Sequence, residues 1–353
     1  MTLSTPPPST QSIHEKPLLT IAIPTYNRSL YLRELLESLR LNLDGETRVE
    51  LIVSDNASQD DTPSVVAKFQ REGLRIHSIR NEVNIGADRN FLQCFNVARG
   101  KYFWLIGDDD VVAPGAIPSL LDRCQSAEYD MLYLSQFEIK GPLGTLDRKE
   151  IRNAITIYDA RAFAVRIHVF FTFISANIVN RDTAIAANHP SFDKLLGTNL
   201  GQLAWTFAAL DSFRRGLFVH DTLLGARNNI AGGYQLFDVF GPKLKAIVED
   251  RIRSHGVRKA ILNGTLRKFF PGFALKYKLA KIPFNEDTSL PARLTPTFRG
   301  NIQYWLFLYP VLVLPFVPAA AWYLPYRTVD RCISRLARWV DTVRSDRSAI
   351  KTP

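Results

Sequence analysis

The sequence predicts an α/β protein, with a mostly parallel sheet flanked by helices, followed by a basic helical region of different character. Three observations carry this. Short apolar runs alternate with segments whose apolar residues fall at helical spacing, the pattern of buried strands joined by crossover helices. Three of the four clearest strands end in polar clusters, at the edge where such sheets bind ligands. Charge is also segregated: residues 1–150 carry 16 basic and 21 acidic side chains, residues 151–240 carry 8 and 6, and residues 241–353 carry 20 and 7. The formal charge of +10 therefore belongs to the last third, and 46% hydrophobic with 22% charged content excludes a globally disordered chain.

Residues 1–17 are rich in Ser, Thr and Pro without an apolar centre, which predicts a disordered leader and no secretory signal. Residues 18–24 read as a strand buried on both faces, followed by a helix in which Leu30, Leu32, Leu35, Leu36 and Leu39 recur behind Ser29. A second strand at 49–54 ends in Asp55; then come a helix at 62–69, a third strand at 75–79, a helix at 87–98 and a fourth strand at 101–106. That strand runs into Gly107-Asp108-Asp109-Asp110. Residues 18–140 thus form one half, residues 141–240 a second with weaker signals (a strand or short helix at 170–179, a helix at 201–210, a Gly/Asn loop at 226–234), and residues 241–353 the basic third. Cys94, Cys124 and Cys332 are odd in number and lack CxxC spacing, so they read as reduced thiols of a cytoplasmic protein.

Three adjacent aspartates repel one another unless a cation or solvent screens them. Mg²⁺ and Mn²⁺ take one or two carboxylates together with phosphate oxygens, so the 108–110 turn suits a metal–diphosphate site; its plain alternative is a solvated turn ahead of Pro114. Asp55 suits a hydrogen bond to a base edge, with Tyr26 stacking on the ring, or else a simple turn. Residues 84–90 open a helix whose free N–H groups, with Arg89, suit phosphate, the alternative being capping by Asn84 or Asp88. Arg227 and Tyr234, around Asn228 and Asn229, suit an acceptor or donor phosphate, or a structured Gly turn. His220 has no partner motif that would make it a metal ligand.

In this order, PTYNR, SDNAS, NIGADRN and GKYFWLIGDDD resemble glycosyltransferase family 2, which has the Rossmann-like GT-A fold. The GADRNF and GDDD forms are most similar to its abequosyltransferase-like group, which builds bacterial surface polysaccharides. The resemblance is specific over residues 18–121 and suggestive to about Tyr234. It implies transfer of a hexose or deoxyhexose from a nucleotide-sugar donor, with a divalent metal, Mn²⁺ or Mg²⁺, bridging the diphosphate. Pro24, Thr25, Tyr26 and Arg28 match the family's first nucleotide-contacting loop, Asp55 its base-reading aspartate, and Asp88, between Asn84 and Arg89, its ribose or phosphate loop. Asp109 matches the metal-holding aspartate, with Asp108 or Asp110 as its companion.

Two departures stand out. Gly107 replaces the first acid of the usual D-x-D-D. The acidic base that inverting members place ahead of a later helix is also missing, since residues 197–203 contain Gln202 but no acid. Gln202 can orient a hydroxyl but cannot take its proton near neutral pH. Among the acids nearby, Asp182, Asp193 and Asp211, Asp193 ranks first as the catalytic candidate because it precedes the acceptor loop. A nucleotidyltransferase of similar topology would need a Gly-rich phosphate loop, which PTYNR is not. A non-enzymatic membrane- or nucleic-acid-binding protein would not need three polar strand ends.

Residues 251–282 hold nine Lys/Arg and no acid, interleaved with Phe269, Phe270, Phe273 and Tyr277, which fits single strands of nucleic acid or an anionic membrane. Residues 300–326 decide between them: 27 residues without a charge, aromatic near both ends and flanked by arginines. Pro310, Pro315, Pro318 and Pro325 interrupt a straight helix, predicting an in-plane or re-entrant hairpin rather than a span. A final helix sets Val329, Ile333, Leu336, Val340 and Val343 opposite Arg327, Arg331, Arg335 and Arg338, as interfacial helices do. The expected partners are a nucleotide-sugar donor, a lipid-linked glycan acceptor and the anionic cytoplasmic face of the inner membrane, with no nucleic acid.

Overall fold

A computed structural model of the chain describes residues 16–139, 146–187, 192–227, 235–279 and 289–349, with side chains as far as Ile333. The four expected strands become β1 (Leu19–Thr25), β2 (Val49–Asp55), β3 (Ile76–Arg80) and β4 (Tyr102–Leu105), linked by helices α1 (Ser29–Leu43), α2 (Thr62–Arg71) and α3 (Ala87–Val97). The chain continues with β5 (Val111–Val112), α4 (Ala116–Ser126) and β6 (Met131–Ile139), and the second half adds β7 (Ala154–Ile157), α5 (Ala160–Ile167), β8 (Asn177–Asn180), α6 (Arg181–Ala186), α7 (Leu203–Asp211) and β9 (Gly216–Arg227).

The strands pair in the order β3-β2-β1-β4-β8-β6-β9-β5, with β7 also on β9. The expected parallel character holds through β3, β2, β1 and β4 and returns between β6 and β9. Elsewhere the ladders are antiparallel: β8 against β4 and β6, and β5 and β7 against β9. Each of the first three strands is followed by a crossover helix, which fixes a parallel return. The chain instead reaches β8 through two tight helical turns, His168–Thr172 and Ile174–Ala176. Residues 170–179, expected as strand or short helix, are therefore both in succession.

Strand residues alternate between two cores, as a period of two requires. Ile21, Ile23, Leu51, Val53, Tyr102 and Trp104 face α1, α2 and α4. Ala22, Ile52, Phe103 and Leu105 face α3, α5 and α7, where Phe95 stacks on Trp205 at 4.9 Å between centroids. Helix α7 is buried almost all round, so it belongs to the interior of the second half.

A third core joins the basic region to itself. Leu266, Phe270, Leu294 and Phe298 pack against Tyr304, Leu308, Val311, Ala319 and Tyr323 of the uncharged stretch. Of its four prolines only Pro315 separates two helices, Tyr309–Val313 and Phe316–Ala349: Leu314 before it is extended (ψ 149°), as the residue preceding proline prefers. Pro310 lies in the first turn of its helix, and Pro325 is accommodated inside the last one. Among the described residues no helix is long and apolar enough to cross a membrane. The hairpin's outer side is exposed: Trp305, Leu306, Val317 and Trp322 are 39%, 46%, 74% and 54% accessible.

Candidate active site

The strand order reverses between β1 and β4, because the chain passes from β1 to β2 and β3 on one side and returns to β4 on the other. The crevice at such a switch lies at the carboxyl ends of the strands. Thr25 and Asp55 are register partners at the ends of β1 and β2. The backbone past β4 stays beside β1, with the Ile106 N–H donating to the Ala22 carbonyl at 3.0 Å. Three distant segments therefore meet here.

The turn after β4 is the electrostatic centre. The Thr25 hydroxyl donates to Asp108 Oδ2 at 2.8 Å, and Arg28 Nη1 reaches Asp108 Oδ1 and Asp109 Oδ2, each at 3.1 Å. Burial pushes Asp108 up to about 6, and the Asp109 charge adds to this while Arg28 opposes it. Burial pushes Asp110 up to about 7, against a hydrogen bond from Ser175. Ser175 Oγ also accepts the Gly107 N–H at 2.8 Å. A Cβ on Gly107 would lie 3.1 Å from an Asp109 oxygen and 3.2 Å from an Asp110 oxygen, so glycine lets the turn fold over itself. Of the three carboxylates, Asp109 is the most open, at 20% side-chain exposure.

This donor set is all hard oxygen. No three His, Cys, Asp or Glu side chains converge on one point among the described residues. A cation here would complete its shell from diphosphate oxygens and water, which suits Mg²⁺ or Mn²⁺. The residues fit such a cation.

Beside the turn, Asp55 is buried; one oxygen accepts the Ser58 N–H at 2.9 Å, while Oδ2 has no hydrogen-bond partner and lies 3.5 Å from Arg80 Nε. Tyr26, 42% exposed, stands open above the loop. Pro24 is buried at the end of β1 and Arg89 is exposed on the first turn of α3. Arg227 at the end of β9 pairs with Glu34 and lies over the Tyr31 ring, and its backbone N–H serves Asp110. The β5–β9 ladder, with Val111 opposite Gly225, brings it there. Tyr234, Asn228 and Asn229 lie outside the described residues.

Two residues expected on the donor have other partners. Asp88 is buried, and its two oxygens accept the N–H groups of Asn199 and Gly201, both at 3.0 Å. It ties the start of α3 to the loop before α7. The Asn84 carboxamide oxygen accepts from Asn56 and from the Gly86 N–H, at 2.7 and 2.9 Å, holding its own loop. Gln202 is buried; its amide donates to the Thr172 carbonyl at 2.7 Å, and its Oε1 has no partner. Asp193 is exposed on the short turn Phe192–Leu195, whose Phe192 packs edge-on against Phe95. Asp182 pairs with Lys16, and Asp211 with Arg253.

Sequence reading missed Ser175 and Arg80, which carry no motif and act only through contacts made across the fold. A cavity of about 1100 Å³ opens at the opposite, amino ends of β1 to β3, lined by Glu50, Arg75, His77 and Arg99, away from the polar strand ends.

Residues 20–185 match the model of "Glycosyl transferase family 2". Abequosyltransferase RfbV of Salmonella typhimurium is 38% identical over 141 residues, 38% of this chain and 39% of that one. The GalNAc(5)-diNAcBac-PP-undecaprenol beta-1,3-glucosyltransferase of Campylobacter jejuni is 33% identical over 108 residues, 30% of this chain and 34% of that one. The alignments thus span well under half the length of these curated relatives. In fold, the chain is similar to S. aureus TarS 1-349 in complex with UDP, with a TM-score of 0.59 and 16% identity over 88% of this chain and 91% of that one. Over residues 20–185, on a sheet of the GT-A type, this chain is thus similar to glycosyl transferase family 2.

Proposed function

We propose that the protein transfers a hexose or deoxyhexose from a nucleotide-sugar donor to a lipid-linked oligosaccharide, in the synthesis of a bacterial surface polysaccharide. The observation that carries this is the meeting of Thr25, Arg28, Asp55 and Asp108–Asp110 at one topological switch point. Asp55 and Tyr26 take the base, and Arg28 and Arg227 face the diphosphate. Asp109, with Asp108 or Asp110, would hold a divalent cation, which when bound offsets the charge of the departing nucleoside diphosphate. The acceptor hydroxyl attacks the anomeric carbon as the bond to the diphosphate oxygen breaks. Gln202, fixed on Thr172, orients that hydroxyl, and Asp193 is the carboxylate assigned to its proton. The names of the Salmonella and Campylobacter relatives support the sugar and lipid-linked acceptor classes. A nucleotidyltransferase is disfavoured because the segment after β1 has no Gly-rich phosphate loop.

A lipid-linked acceptor places the reaction at a membrane, and we assign the exposed side of the C-terminal hairpin to the anionic cytoplasmic surface. Trp305, Leu306, Val317 and Trp322 form an uncharged face, and both indole N–H groups are already bonded, to the carbonyls of Arg299 and Leu306 at 2.8 Å. Arg299, whose carbonyl holds Trp305, is a cation beside that face, and Lys278 donates to the Leu312 carbonyl of the same hairpin at 3.0 Å. An apolar face with basic neighbours suits an anionic bilayer better than a second, equally basic copy.

The test is product formation by the purified chain with Mn²⁺, a panel of nucleotide-sugars and a lipid-linked acceptor. Transfer or slow hydrolysis of one donor, lost in Asp109→Asn, is the expected result. Full activity and metal dependence in that variant would overturn the site assignment.

A further inference from the structure

Arg28 sits where a cation would sit. Its Nη1 bridges one oxygen of Asp108 and one of Asp109, both at 3.1 Å, while the second Asp108 oxygen is held by Thr25 at 2.8 Å. These are oxygens a divalent ion would need, so a guanidinium and a metal cannot occupy this pair of carboxylates together without facing each other as like charges.

The backbone around Arg28 is fastened to the neighbouring loop, while its side chain, held by the two carboxylates, is open to solvent. The Asn27 N–H donates to Ser58 Oγ at 2.9 Å, the Gln59 N–H donates to Asn27 Oδ1 at 2.7 Å, and the Ser29 N–H donates to Asp60 Oδ2 at 2.9 Å. The Arg28 side chain is 40% exposed, against 7% and 20% for its two partners. The guanidinium can therefore leave the carboxylates by side-chain rotation alone, with no change in the loop. Diphosphate offers what it would turn to, an anion that matches the bidentate guanidinium fork.

We infer that Arg28 is a resident counter-ion of the 108–110 turn that gives way to the divalent metal only when a diphosphate is present to receive it, so that metal and donor bind as a cooperating pair. This rests on the reading of Asp109 as the metal carboxylate. Cooperation of this kind is reciprocal: nucleotide tightens metal binding by the factor by which metal tightens nucleotide binding.

The experiment measures free Mn²⁺ by its electron paramagnetic resonance signal, on the full chain, with and without UDP or GDP. Wild type is expected to bind Mn²⁺ weakly alone and about tenfold or more tightly with one nucleoside diphosphate, within the usual range of coupling between two ligands. Arg28→Gln is expected to bind Mn²⁺ alone about tenfold more tightly than wild type, and to gain less from nucleotide. Arg80→Gln is the charge control: it removes a positive charge from the same strand ends, next to Asp55 rather than the turn, and is expected to bind Mn²⁺ alone as weakly as wild type. Arg28→Met keeps the apolar stem and serves if Arg28→Gln does not fold. Unchanged or weaker Mn²⁺ binding by the Arg28 variants, or an equal gain in Arg80→Gln, overturns the inference while leaving an Asp109-dependent metal site standing. Mn²⁺ binding that Asp109→Asn does not abolish, or none in any variant with nucleotide, overturns the metal reading and this inference with it.

Discussion

Asp110 is expected to weaken the fold in order to keep a charge in the site, and replacing it should stabilise the protein in a pH-dependent way. An aspartate that ordinarily titrates near 3.8 is pushed here to about 7. Between those values the folded protein holds a proton that the unfolded chain has lost, so stability falls as pH rises through this window and the loss is complete above it. At about 1.4 kcal/mol per decade of pH the full cost is about 4 kcal/mol at pH 8 and roughly a third of that at pH 5. Asp110→Asn removes the cost but leaves amide protons beside Asp109 and weakens the bond from Ser175, a loss of about 1–2 kcal/mol at either pH. The expected outcome is a gain of about 2 kcal/mol at pH 8 and little or none at pH 5. Urea unfolding of both proteins at the two pH values, with a chelator present, reads this directly. A variant that is destabilised equally at pH 5 and pH 8 would refute the reasoning, because the carboxyl would then not be held neutral by burial.

Other consequences can be measured in the same way. Asp88→Ala strips the part-buried N–H of Asn199 and the buried N–H of Gly201 of a charged acceptor; a loss of about 2–3 kcal/mol in urea is expected, with Asp88→Asn intermediate because it can accept for only one of them. If Asp88 instead served only the donor, stability would not change. Trp305→Ala with Trp322→Ala removes two half-exposed rings, and at about 25 cal/mol per Å² each ring contributes about 2 kcal/mol to membrane partitioning. Flotation with vesicles containing anionic lipid should fall by more than tenfold while hydrolysis of soluble donor persists. Unchanged flotation would count against the hairpin face, and a change from dimer to monomer would mean that a second copy covers it.

The first half was legible because its signals are local. Strand-like segments alternating with helix-spaced ones gave β1 to β4 and α1 to α3 nearly to the residue, and the polar clusters after β1, β2 and β4 meet at one edge of the sheet. What sequence could not show were pairings across the fold. Asp88 looks like a ribose contact until the loop 111 residues away from it is seen resting on its carboxylate. Ser175 lies in a tight turn with no pattern of its own, yet it orders both Gly107 and Asp110. The uncharged run at 300–326 did not show how its residues divide: its apolar residues serve two faces, one closing a core with Phe270 and Phe298 and the other open. Composition alone cannot divide a run between such faces, because helical period and prolines decide which residues turn inward.

The central claim is that the ends of β1, β2 and β4 hold the nucleoside diphosphate and its metal. The most direct test is a crystal of the full chain with Mn²⁺ and a nucleoside diphosphate, read by anomalous scattering. The account predicts a manganese peak beside Asp109, the base between Tyr26 and Asp55, and the Arg28 guanidinium moved from the carboxylates onto phosphate. Nucleotide in the cavity at the amino ends of β1 to β3, or manganese bound away from Asp108–Asp110, would contradict it.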